Sequence, residues 1–158
     1  MTPITLESIK ADADALASKI ATFEAQAGSK AVEFYFPETT IELRPGEHYA
    51  GLIIGKDGEP SYHLVLLPGQ ADDISWDKAM AWAAQRGSLD ASAGLPTRRE
   101  QALLYANLKD QFEDHAYWSC EAHESGWAWS QGFYNGDQSG VHKSHDLRAR
   151  AVRRLIIE

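Results

Sequence analysis

Apolar positions near the start of the chain recur at alternating steps of three and four: Leu6, Ile9, Ala13, Leu16, Ile20, Phe23 and Ala27. That spacing predicts an amphipathic helix with a stripe as narrow as the a/d seam of a coiled coil, sustained for three heptads. Thr2 followed by Pro3 is a helix opening, because a hydroxyl caps and a proline loses nothing in the first turn. Gly28 and Ser29 close it. A lone helix of this length is marginal in water, so something must cover the stripe. The cover is either a neighbouring copy or the chain's own domain. In a parallel bundle Lys19 and Glu24 fall at g and the following e position and pair, and alanines fill much of the remaining surface. The expectation is a homo-oligomer, a trimer, with Leu6, Ile9, Ala13, Leu16, Ile20 and Phe23 as its seam. Residues 1–28 are then an oligomerisation helix, and residues 30–158 a separate domain.

From Ala31 the period changes. Val32-Glu33-Phe34-Tyr35-Phe36 has the composition of a strand, closed by Pro37. Residues 49–54 and 62–67 predict a hairpin across the turn-rich run 55–60, and the unbroken Leu64-Val65-Leu66-Leu67 predicts burial on both faces. Ser75 caps a helix to about Gln85 with Trp76, Met80 and Ala83 on one face, and Gly87 stops it. Pro96-Thr97-Arg98-Arg99-Glu100 reads as a capping box opening a second helix, with Leu103, Leu104 and Leu108 on its buried side. Tyr117-Trp118-Ser119 leads into a strand. Trp127, Trp129, Gln131 and Phe133 then alternate with Ala128, Ser130, Gly132 and Tyr134, as in a strand with one bulky and one small face. Asn135-Gly136-Asp137 is a turn signal, and residues 147–152 supply the final strand. Helices lying between an early hairpin and a late sheet make the class α+β.

A chain of 158 residues, 44% hydrophobic, buries one ordinary core. The formal charge of -8 disfavours general binding to nucleic acid or to an anionic membrane. Cys120, the single cysteine, forbids an intrachain disulfide and a structural zinc site built on paired cysteines. The apolar runs at 51–55 and 64–67 are far shorter than a membrane span, and nothing at the N-terminus reads as a secretory signal. A soluble protein is expected, cytoplasmic or virion-associated, with no membrane partner and no cofactor.

The ordered set Gly94-Leu95-Pro96-Thr97-Arg98-Arg99-Glu100, Tyr117-Trp118-Ser119, Trp127-Ala128-Trp129, Asn135-Gly136 and Leu147-Arg148-Ala149-Arg150-Ala151-Val152-Arg153 resembles the family of the C-terminal domain of the Legionella collagen-like adhesin, also called DUF1566. The likeness covers roughly residues 76–154. It implies a C-type-lectin-like fold, related in shape to formylglycine-generating enzymes and to diversified phage receptor-binding proteins. It also implies a binding module, often displayed as a trimer; the adhesin itself binds sulfated polysaccharide. This chain lacks the collagen-like stalk, so a bacterial or phage-encoded protein with the heptad helix as stalk is the corresponding expectation.

Candidate chemistry then divides. Ligand contact is expected in the loops 121–126 and 134–145 and at the first tryptophan of the strand, so Trp127, Tyr134, Asn135, Asp137, His142 and Lys143 are the candidate binding residues. Trp129 is expected in the core. Asn135, Asp137 and Asp146 are the candidates for calcium, which needs about six to eight oxygens, but turn formation accounts for the first two. His115, His123, His142 and His145 suggest zinc only on paper; exposed loop histidines are the simpler reading. Cys120 with His115 or His123 would make a hydrolase, though a thiol in a strand is ordinarily a small buried hydrophobe. Arg148, Arg150, Arg153 and Arg154 recognise an anion or, the preferred reading, pin the terminal strand through ion pairs. The function expected is non-catalytic binding of a glycan or protein. A phage accessory protein that inhibits one host protein comes next, and a cysteine-dependent enzyme last.

Overall fold

Thr5 and Ser8 exchange capping hydrogen bonds: the Thr5 Oγ1 accepts from the Ser8 amide at 3.1 Å and the Ser8 Oγ from the Thr5 amide at 3.2 Å. The helix they open, α1, runs Leu6–Gly28. In this computed structural model residues 3–28, Glu33, Tyr35 and 37–157 are described, so the expected caps Thr2 and Ser29 lie outside the described residues. So does most of the expected strand at 32–36; Glu33 and Tyr35 belong to no regular element. The chain divides into two compact units, Met1–Thr40 and Ile41–Glu158. In the first, no described residue of α1 is buried.

The second unit is α+β with two sheets. Its elements are β1 (His48–Ile53), β2 (Tyr62–Leu66), β3 (Ala71–Ile74), α2 (Trp76–Ala84), β4 (Ala93–Gly94), α3 (Arg98–Leu108), β5 (Ala116–Ala122), β6 (Trp127–Gly132), β7 (Gln138–His142), β8 (Leu147–Ala149) and β9 (Val152–Ile156). One sheet has the order β1-β2-β9-β4 and the other β3-β8-β5-β6-β7. The expected β1–β2 hairpin is present, antiparallel, with a bulge between Tyr49 and Gly51. Leu64 and Leu66 enter one core cluster with Leu104, Tyr117, Phe133 and Val152. Leu67 enters the other, with Ala79, Ala83, Trp118, Ala128 and Ala149. The run 64–67 is thus buried on both faces because it separates two cores, one under α3 and one under α2.

Several expectations are corrected. The final strand is two strands in different sheets: β8 ends at Ala149, Arg150 and Ala151 turn the chain, and β9 continues in the first sheet. The expected contact loop 134–145 contains β7, which pairs with β6 along its length. Ser75 sits at the N-cap of α2, but its side chain makes no capping hydrogen bond. Trp129 is not core. The inner positions of β6 are Ala128 and Ser130, both buried, and they must be small because the fully buried Trp118 stands across from Ser130 on β5. On the bulky face Trp127 is exposed and Trp129 half-buried, whereas Gln131 and Phe133 further along are buried.

Candidate functional site

Glu100 organises the start of α3. Its Oε2 accepts from the Thr97 amide at 2.8 Å while the Thr97 hydroxyl accepts from the Glu100 amide at 3.2 Å, completing the capping box. The same carboxylate, fully buried, accepts from the Tyr62 hydroxyl at 2.6 Å and from Arg154 twice, at 2.6 and 2.8 Å. Burial pushes the Glu100 carboxyl up, but Arg154, Tyr62 and the Thr97 amide outweigh it and leave the group below the usual carboxylate range. Burial and the same carboxylate push Tyr62 up to about 12, so its hydroxyl remains a donor.

The cap places Arg98 and Arg99 in the first turn, where positive charge opposes the helix dipole. Both are held by neighbours. The Arg98 amide donates to Glu121 Oε2 at 2.6 Å, its guanidinium lies 3.5 Å over the Trp129 ring, and its Nε donates to Gln138 Oε1 at 3.0 Å. Arg99 reaches the Ile54 carbonyl at 3.0 Å. Gln138 in turn donates to the Arg98 carbonyl and to Gln131 Oε1, both at 2.8 Å.

These side chains line an open groove of 740 Å³ between the β1–β2 loop, the first turn of α3 and the turn end of β6–β7. Glu59 and Glu121 balance Arg98 and Arg99 along its walls, and Tyr62, Thr97, Gln131 and Gln138 add neutral polar groups. Such a surface offers donors and acceptors together, which suits a neutral polyhydroxyl or peptide ligand better than an isolated ion. The loop wall depends on Gly55: a Cβ there would run into the Glu59 carbonyl oxygen.

The sequence-predicted binding residues fall at opposite ends of the β6–β7 hairpin, separated by a strand length of about 17 Å at ~3.4 Å per residue. At the turn end, Asn135 Oδ1 accepts from the Asp137 amide at 3.0 Å and its Nδ2 donates to Asp137 at 2.7 Å, beside an exposed Tyr134. Gly136 between them lines the groove. At the other end, Trp127 meets His142 edge-on at 5.6 Å, and Lys143 Nζ lies 4.3 Å over the Trp76 ring. Trp129 lies between the two groups, stacked with His123 at 4.3 Å as well as with Arg98. Sequence reasoning missed Arg98, Arg99 and Gln131 as groove residues, while Glu121 and Gln138 lie inside the expected contact ranges 121–126 and 134–145 without having been singled out. The available signal was the pair of arginines at the unfavourable end of a helix.

The other candidates resolve chemically. Among the described residues no three His, Cys, Asp or Glu side chains converge as a metal site. Burial pushes the Cys120 thiol up, so it is protonated at neutral pH, the weaker nucleophilic form. The terminal arginines are engaged internally, as the structural reading expects. Arg153 pairs with Glu47 through 3.0 and 2.8 Å hydrogen bonds beside a second cavity of 300 Å³, and Arg154 pairs with Glu100. Arg148 pairs with Asp72 and Glu113, and Arg150 donates to the Gln111 and Leu67 carbonyls. Among the described residues no helix is long and apolar enough to cross a membrane. In comparisons with known proteins, no family model and no curated protein matches this chain.

Proposed function

We infer that this chain is a non-catalytic recognition protein: a lectin-like head that binds a glycan or a protein, carried by a helix that joins copies of the chain. The observation that carries this reading is the groove at the start of α3, where guanidinium, carboxamide, carboxylate and phenol groups surround 740 Å³ of open space. That volume suits a small saccharide or a peptide side-chain cluster. Planar amide and guanidinium groups grip hydroxyls and carbonyls in pairs. Tyr134 and the Asn135–Asp137 turn stand at the same end of the hairpin and widen the contact surface.

The test is a glycan array probed with the full chain and with Arg98→Ala and Gln138→Ala variants. Saccharide binding lost in both variants supports the glycan arm. A silent array beside one protein captured by the parent and released by either variant supports the protein arm. Binding unchanged in both variants rejects the groove as the site.

A further inference from the structure

We propose that α1 assembles with a second copy of itself as an antiparallel pair, Leu6 facing Phe23 of the second copy, Ile9 facing Ile20, and Ala13 facing Leu16. This rests on the self-association named above and gives it a partner, an orientation and a register. Nothing within α1 covers the seam: Leu6 is 68% exposed, Ile9 54%, Leu16 59%, Ile20 50% and Phe23 69%. An a/d seam is the natural complement of another a/d seam.

Side-chain size chooses the direction. In a parallel, in-register bundle each residue meets its own copy, so Ala13 layers are hollow and Phe23 layers are crowded. Running antiparallel, the Ala13 gap is filled by Leu16, Phe23 is opposed by the smaller Leu6, and Ile9 with Ile20 forms even layers between them. The twofold axis repeats these three layers, giving a closed, isologous contact. Charge favours a second copy in either direction. Between the Ile9–Ile20 and Ala13–Leu16 layers, Asp12 of one helix faces Lys19 of the other, twice over; a parallel pair would set Lys19 beside Glu24 instead. Sliding one heptad one way strands Leu6 and places Lys19 against its own copy. Sliding the other way removes Ile20 and Phe23 from the seam.

The test uses full-length chain carrying Cys120→Ser with either Ile9→Cys or Ile20→Cys, oxidised singly and as a mixture, with sedimentation mass measured on the same samples. The expected result is a dimer mass and a disulfide only in the mixture, because like positions lie about 16 Å apart along the pair at 1.5 Å per residue. A Leu6→Cys and Phe23→Cys pair repeats the experiment at the outer layer. Cross-linking of Ile9→Cys with itself, a trimer mass, or a dimer whose mixture stays unlinked overturns the antiparallel pair and leaves self-association standing. A monomer mass at every concentration overturns both, whatever the head binds.

Discussion

Replacing Glu100 by Gln is the sharpest perturbation of the head. The amide fills the same volume but keeps a single oxygen, so the Tyr62 hydroxyl on Oε1 and the Thr97 amide on Oε2 cannot both be accepted, and the charge opposite Arg154 disappears. Breaking a buried ion pair by removing one partner costs about 3–5 kcal/mol, because the other charge is stranded. Arg154 retains 32% side-chain exposure, so water recovers part of that and the lower end, about 3 kcal/mol, is expected. Thr97→Ala, which removes the hydroxyl cap alone, should cost about 1 kcal/mol. Against a domain stability of roughly 5–15 kcal/mol, the first change is severe and the second mild. Urea unfolding followed by tryptophan fluorescence measures both, and Glu100→Gln combined with Arg154→Met closes a double-mutant cycle. The double variant should regain at least about 1 kcal/mol over Glu100→Gln alone. A Glu100→Gln loss below about 1 kcal/mol, or additive single effects, would refute the assignment of Glu100 as the anchor of α3.

Acid should unfold the head through the same groups. Glu100 and Glu47 both lie below the ordinary carboxylate value of 4.5 when folded, so their stabilisation is complete above that value and is lost as pH falls through their folded pKa values; Glu100→Gln should flatten the acid limb of a stability-against-pH curve. Gly55→Ala forces a Cβ against the Glu59 carbonyl and should lower the melting temperature and reshape the groove wall, whereas Gly58→Ala, with open space around it, should show only the strain of its positive φ. Cys120, half-buried with its thiol pKa pushed up, should be alkylated more slowly at neutral pH in the native protein than in denaturant, and Cys120→Ser should leave ligand binding intact; equal rates would contradict the raised pKa.

What was legible in the sequence was whatever a local rule encodes. The capping box at Thr97–Glu100 depends only on residue types three apart, and it formed as read. The run 64–67 announced burial on both sides, and two cores flank it. β7 was illegible because Gln138, Ser139, Gly140 and His142 surround a lone Val141, so neither alternation nor β propensity marks it; pairing with β6 supplies the reason for its shape. The break at Arg150–Ala151 was hidden because the flanking residues alternate as one strand would, and it follows from long-range pairing alone, β8 lying between β3 and β5 and β9 between β2 and β4. The groove was hidden for a different reason. Its residues come from five separate elements, β2, α3, β5, β6 and β7, and the loops between them, and the arginines that anchor it entered the reading as neighbours of a cap.

The passage of residues 147–156 from one sheet to the other has a consequence for biogenesis. β8 lies between β3 and β5, and β9 lies between β2 and β4, so one interior strand of each sheet is among the last made. A nascent chain that has emerged only as far as β7 must hold Leu64–Leu66 with one flank unpartnered, a sticky edge on a ribosome-bound intermediate. Closure of both sheets waits on these last strands, after α1 and most of the second unit have been made.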